Sequence, residues 1–171
     1  MDYKQYFGGW SKEDLLEYVE FLLHNYRVMD AFWFLNIESR HDHQEACLIN
    51  ELVWGKTAQL AARDLKKRFG LDQGGLQGFF KAQRIFPWAM LVGYDFEDHG
   101  DHLIIKVTDC PSQTARLERG LGEYSCKGMH FAEFKSFAKE IDPRIKVTCL
   151  YAPPDEHPSD CFCQWRFDMQ E

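Results

Sequence analysis

The hydrophobic pattern changes its period near residue 88, and this change constrains the fold more than any other feature of the sequence. Up to that point, apolar residues recur at helical spacing in three segments. From Trp88 to Phe96 the apolar residues alternate instead, which predicts a strand, and Leu103, Ile105 and Val107 alternate in the same way. The first half is therefore predicted to be helical and the second half to contain strands.

Two further strands and two further helices are predicted after residue 110. The strands cover 144–151 and 160–169. One helix begins at Pro111, and the other runs from Met129 to Ile141. The order is then helices followed by ββ-αα-ββ. Because short hairpin links favour antiparallel pairing, we expect an α+β fold with a four-stranded antiparallel sheet and helices packed on one face.

Capping residues predict where the N-terminal helices begin and end. Ser11 can cap the first helix, and Gly70 is a natural end for the second, which starts near Asp42. A third helix is predicted over 73–84 with Asp72 as its cap. Apolar residues at helical spacing along the first two helices are predicted to face the core, and they include Leu15, Val19, Leu22, Leu48, Leu52 and Phe69.

Composition bounds the class of protein. The formal net charge is −7 with no basic run, which argues against nucleic acid and against an anionic membrane surface as partners. No apolar stretch reaches the roughly 20 residues that span a bilayer, and the N-terminus lacks the order of a signal peptide. We expect one soluble, cytoplasmic domain over 1–171, with a helical half at 1–86 and a mixed half at 87–171.

Five of the six cysteines lie in the second half, where the reducing cytosol would keep them as thiols. Cys110 and Cys126 each come directly before a predicted helix, where the helix dipole lowers a thiol pKa, so they are the predicted reactive thiols. Strand parity turns Cys149 and Cys163 toward the covered side of the sheet, where they would line a pocket. Cys161 shares that parity and is the weakest candidate.

Three interpretations of these cysteines stay open. They can be buried small hydrophobes, as free cysteine often is. They can form a zinc site, with Cys110, Cys126, Cys149 and Cys163 or His157 as ligands, although no paired Cys-x-x-Cys motif supports it. Finally, Cys110 or Cys126 can be a nucleophile with His157 as its general base.

Four other side chains are candidates for binding a substrate. Arg116 lies in the predicted helix that follows Cys110 and could hold a carboxylate with two hydrogen bonds. Glu123 lies in a glycine-bracketed turn, where it could equally pair with Arg116. Asn50 and Trp54 would reach a pocket if their face of the second helix meets the sheet. The run His41-Asp42-His43 is a further, weaker metal candidate.

Several motifs carry a family resemblance that covers most of the chain from about residue 30. They include Val53-Trp54-Gly55, Thr108-Asp109-Cys110-Pro111, Gly120 to Cys126, Ile141-Asp142-Pro143-Arg144 and Cys163-Gln164-Trp165. These motifs resemble a group of uncharacterised bacterial and archaeal cytosolic proteins that look like relatives of the L-2-amino-thiazoline-4-carboxylic acid hydrolase family. The element order is also similar to the 4-vinyl reductase domain, which is a likeness of fold alone.

The hydrolase resemblance implies an enzyme that opens a cyclic C–N bond in a small amino-acid-like substrate. Arg116 would hold the substrate carboxylate, and Cys110 or Cys126 would be the nucleophile. The alternative is a non-catalytic ligand-binding or sensing module with a cysteine-lined pocket that could hold zinc, the one cofactor considered. In both cases the partner is a small molecule, and the aromatic run Phe32-Trp33-Phe34 could add a homodimer surface.

Overall fold

Two long helices dominate the N-terminal half in the computed structural model, which describes residues 2–71 and 73–170. The elements, in chain order, are α1 (Lys4–Phe7), α2 (Lys12–Arg40), α3 (His43–Phe69), α4 (Gly75–Arg84), α5 (Pro87–Val92), β1 (Asp95–Asp98), β2 (His102–Val107), α6 (Pro111–Glu118), α7 (Lys127–Ile141), β3 (Ile145–Tyr151) and β4 (Cys163–Met169). None of the helices formed by the described residues is long and apolar enough to cross a membrane.

The four strands form one antiparallel sheet in the order β1-β2-β4-β3. Its register places Ile105 opposite Trp165 and Val147 opposite Phe167. The predicted α+β fold with a four-stranded antiparallel sheet and helices packed against it is confirmed. The pairing follows from side-chain alternation, since a one-residue slip would turn every core residue of a strand to its other face.

Helix α7 positions the interior, because it packs against both α3 and β3. Its buried face contributes Phe134, whose ring lies 5.3 Å from the rings of both Trp165 and Phe167. Along α3 the buried residues recur every four positions, and they are Ala46, Asn50, Trp54, Ala58 and Ala62. Small residues at the crossing allow close approach, because a Cβ at Gly55 would lie 3.4 Å from that of Ala132.

Parts of the predicted core stripes on the first two helices face solvent instead of the core. Leu48, Leu52 and Phe69 are exposed, because α7 contacts the alanine face of α3 and leaves the leucine face uncovered. Leu15 and Leu22 are exposed as well, although Phe7 of α1 packs against Tyr18 in the same half of α2. Periodicity locates an apolar stripe, but the neighbouring element decides which stripe is buried.

The strand predicted from Trp88 to Phe96 is helical over its first half. Pro87 occupies the first position of α5, where its fixed φ suits a helix, and Gly93 ends that helix in the left-handed region at φ 71°. The strand β1 begins only at Asp95. A short apolar run of this length is ambiguous between strand and buried helix, and proline and glycine decide it here.

The predicted cap of the third helix, Asp72, lies outside the described residues. Helix α4 begins at Gly75, whose backbone N–H donates to the carboxylate of Asp142 at 2.9 Å. The same carboxylate accepts two hydrogen bonds from the Arg144 guanidinium and one from its backbone N–H. One buried acid therefore joins the start of α4 to the turn between α7 and β3.

Candidate functional site

Cys110 and Cys126 do precede helices α6 and α7, but neither is the predicted low-pKa thiol. Cys126 is buried and Cys110 is partly buried, and the loss of hydration is the largest influence on the pKa of each and raises it. The nearby Cys110 raises the pKa of Cys126 further. The prediction fails because the loss of hydration on burial outweighs the effect of a helix N-terminus.

His157 does not act as a base for a cysteine. Its Nδ1 lies 2.9 Å from the carbonyl oxygen of Pro158, and its Nε2 lies 3.0 Å from Oε1 of Glu123. Both contacts require a ring N–H, and the Pro158 and Glu123 hydrogen bonds raise the pKa of His157. Both ring nitrogens are engaged by Pro158 and Glu123, and the described residues show no hydrogen bond between His157 and Cys110 or Cys126, so the predicted pairing is not formed.

The described residues contain no group of three or more His, Cys, Asp or Glu side chains that could hold a metal ion. The predicted zinc set of Cys110, Cys126, Cys149 and Cys163 is therefore not assembled, and neither is the weaker set at His41-Asp42-His43. Cys163 is buried as strand parity predicts, whereas Cys149 is partly exposed and lines a groove of about 430 Å³. All six cysteines lie in the described part of the chain and are free thiols.

Arg116 does not offer its guanidinium to a substrate. Its two terminal nitrogens donate to the two carboxylate oxygens of Glu38, each at 3.0 Å. Its Nε donates to the carbonyl of Gly122, so all three guanidinium nitrogens already donate within the protein. The predicted carboxylate clamp is thus an intramolecular ion pair between α6 and α2. Glu123, the other half of the prediction, pairs with His157 instead.

Glu38 begins a chain of hydrogen bonds that ends at a sixth cysteine. Oε1 of Glu38 lies 2.6 Å from Nδ1 of His43 across the corner between α2 and α3. Nε2 of His43 lies 3.4 Å from Sγ of Cys47, one turn further along α3. A thiol, an imidazole within hydrogen-bond reach and a carboxylate that orients the imidazole are the three parts of an activated nucleophile.

The charges at this corner favour one arrangement of protons. The hydrogen bonds from Arg116 are the largest influence that holds the pKa of Glu38 below its usual range, so the carboxylate is ionised at neutral pH. An ionised Glu38 requires the proton of a neutral His43 on Nδ1, which leaves the lone pair of Nε2 directed at Cys47. Burial raises the pKa of the partly exposed Cys47, so the group is a thiol in the resting protein.

Tyr124 packs against the same corner between α2 and α3. Its ring packs 4.9 Å from that of Phe34, and the Gln113 amide makes hydrogen bonds of 2.8 Å to both its backbone N–H and its carbonyl. The amide nitrogen of Asn50 donates to the Tyr124 hydroxyl. These contacts bury Phe34, so the predicted surface at Phe32-Trp33-Phe34 presents only Phe32 as a strongly exposed ring.

Asn50 and Trp54 face the interior, as predicted, but they bind protein groups. Asn50 holds Tyr124, and Nε1 of Trp54 donates to Asp30 at 3.0 Å. Cys47 went unrecognised because it is isolated from the other cysteines in sequence. The available signal was its four-residue spacing from His43 at a helix start, where the two side chains share a face.

Comparison with known proteins identifies a family but no characterised relative. A family model described as "Family of unknown function (DUF6125)" matches residues 8–169. No curated protein and no solved structure matches the chain significantly. Because the match extends over nearly the whole sequence, the chain belongs to this family of unknown function, DUF6125.

Proposed function

We propose that this protein is a small-molecule hydrolase of C–N bonds whose nucleophile is Cys47. The observation that carries the proposal is the continuous arrangement of Glu38, His43 and Cys47, with separations of 2.6 Å and 3.4 Å. Three further features support it. Cys47 is partly exposed, Nε2 of His43 lies toward the sulfur, and Arg116 holds the orienting carboxylate in place.

The reaction begins from a neutral thiol. His43 accepts the thiol proton on Nε2 while Sγ of Cys47 attacks the electrophilic carbon of the C–N bond. The C–N bond then breaks, and the leaving nitrogen takes the proton from His43. Water next attacks the carbon bound to sulfur, with His43 accepting a proton from it, and the C–S bond breaks to restore the thiol. Glu38 stays ionised throughout and stabilises the imidazolium that forms at each step.

The resemblance to relatives of L-2-amino-thiazoline-4-carboxylic acid hydrolase supplies the first substrate to test. Its cyclic C–N bond fits the reaction class, and a cytoplasmic setting would keep Cys47 reduced. The substrate carboxylate would need a partner other than Arg116, whose donors are taken by Glu38 and Gly122. The contacts of Cys47 define the nucleophile, whereas the contacts of Arg116 leave the partner of the substrate carboxylate open.

The experiment compares single cysteine variants in turnover of L-2-amino-thiazoline-4-carboxylate. We expect Cys47→Ala to lose activity by at least about a hundredfold, because no other thiol in the described part of the chain has a histidine ring within hydrogen-bond reach. Cys149→Ala is the matched control, since Cys149 is also partly exposed but makes no contact with a histidine. Full activity of Cys47→Ala, or a loss confined to Cys110 or Cys126 variants, would exclude Cys47 as the nucleophile.

A further inference from the structure

Two acidic side chains enter the interior between the helices and the sheet. Glu133 on α7 is fully buried, and its Oε2 lies 2.8 Å from Nδ1 of His130. Asp30 on α2 is partly buried and accepts hydrogen bonds from Nε1 of Trp54 at 3.0 Å and from Nε1 of Trp33 at 3.3 Å. Among the described residues, no lysine or arginine pairs with either carboxyl group.

Three polar atoms near these acids have no partner in the described part of the chain. They are Oε1 of Glu133, the hydroxyl of Tyr94 and Nε1 of Trp88. All three side chains are more than nine-tenths buried. Native proteins seldom leave buried polar atoms unsatisfied, because each costs about 1–3 kcal/mol. Oε1 of Glu133 is therefore a buried acceptor without a described partner, and an N–H donor of a ligand would satisfy it.

Aromatic rings form the wall between the two acids. The ring of Trp54 lies 4.7 Å from that of Trp88, and Tyr26 packs edge-on against both at 5.9 and 6.3 Å. Burial, followed by the charges of Asp30 and Glu133, raises the pKa of Tyr26 to about 12. Both acids therefore lie close enough to the Tyr26 ring to affect its pKa. Aromatic faces attract cations, most strongly where water is excluded.

We propose that the interior bounded by Asp30, Glu133 and the Tyr26-Trp54-Trp88 wall binds a small organic cation, a protonated amine or amidine. The N–H groups of such a ligand donate to Oε1 of Glu133, and its charge lies against the rings and close to Asp30. This site is separate from Cys47, and the proposal stands whether or not Cys47 is a nucleophile.

The test uses acetamidinium and methylammonium as probes and follows the fluorescence of the indoles in the wall. We expect both cations to give a saturable change and to raise the melting temperature, since ligand binding stabilises the folded state. Acetamide matches acetamidinium in shape without the charge, and sodium chloride at equal concentration controls for ionic strength. We expect neither control to reproduce the effect.

Variants then locate the bound cation. Glu133→Gln should weaken cation binding by at least tenfold. Asp30→Asn should weaken it by the same factor while leaving the fully buried Glu133 carboxyl in place. The matched control is Glu140→Gln on the same helix, because the Glu140 carboxylate pairs with Arg63 at the surface. Cys47→Ala should leave cation binding unchanged.

Three outcomes would overturn the proposal. The first is no saturable response to either cation, and the second is an equal response to acetamide. The third is a cation affinity equal to that of the wild type in a folded Glu133→Gln or Asp30→Asn variant. The two variants act on different helices, so a failure of one to fold leaves the other as the test. Loss of turnover in Cys47→Ala together with no cation response would support the hydrolase while removing this site.

Discussion

The sulfur of Cys47 lies 3.4 Å from Nε2 of His43, and both side chains project from the first two turns of α3. The contact depends on Glu38 at the end of α2, which holds the opposite side of the ring at 2.6 Å. Residues from two helices therefore build the corner, and Arg116 from a third fixes it. Perturbing any one of them has a measurable consequence at the thiol.

Alkylation of Cys47 should depend on its neighbours. At pH 7 we expect Glu38→Gln to slow its reaction with iodoacetamide by on the order of tenfold or more, because His43 loses the carboxylate that directs its lone pair to the thiol. Peptide mass spectrometry measures the rate at each cysteine separately. The rate at Cys149 serves as the internal control, and equal slowing of both cysteines would point to a general change in structure instead.

Removal of the Arg116 guanidinium should destabilise the fold in a pH-dependent way. Arg116→Met removes the guanidinium that pairs with Glu38 at a partly buried position, and we expect a loss of about 1–3 kcal/mol at pH 7 in urea unfolding. The pKa of Glu38 is lowered in the folded protein, so the stability that this carboxylate contributes is present above its unfolded pKa and disappears as the pH falls. The difference between variant and wild type should therefore shrink below about pH 4.5.

Asp142 should be the acid whose loss most weakens the link between α4 and α7. Asp142→Asn removes the ion pair with Arg144 and weakens the hydrogen bond to Gly75, which should cost about 1–3 kcal/mol. Arg144 lowers the pKa of Asp142, so this contribution also fades as the pH falls toward the acid range. Asp64→Asn, at an exposed pair with Arg68, should change the free energy of unfolding by less than about 0.5 kcal/mol.

The two faces of α7 should respond very differently to truncation. Phe134 is buried among Tyr94, Trp165 and Phe167, so Phe134→Ala should lower the free energy of unfolding by about 3–5 kcal/mol. Phe131, three residues earlier, is 39% exposed, and its replacement by alanine should cost less than about 1 kcal/mol. Chemical denaturation of both variants measures the contrast, and similar costs would contradict the packing of α7.

Two buried tyrosine hydroxyls offer a matched comparison. Tyr94→Phe removes a hydroxyl without a protein partner, so the free energy of unfolding should stay equal or rise by up to about 1 kcal/mol. Tyr124→Phe removes a hydroxyl that Asn50 uses and should cost about 1–2 kcal/mol. Thermal and urea unfolding without added ligand would measure both. A larger loss at Tyr94 than at Tyr124 would show that the Tyr94 hydroxyl has a partner.

Local pattern predicted the architecture because strands and helices bury alternate or helically spaced residues wherever they occur. Parity along β4 correctly placed Cys163 in the core, and the proline at 111 correctly started α6. The strand predicted from Trp88 was wrong because a short apolar run suits either a strand or a buried helix. Pro87 before it and Gly93 after it indicate the helix that forms.

The sequence by itself determined the ββ-αα-ββ order of the second half, the antiparallel sheet and the positions of Cys110 and Cys126 before helices. Only the tertiary structure decided what those thiols can do, because their pKa depends on burial that distant segments impose. It also decided the partner of Arg116, since Glu38 is 78 residues away and meets it only when α6 packs beside α2. The reactive corner at Cys47 is likewise a product of packing, for an orienting carboxylate acts across space and leaves no periodic pattern in the chain.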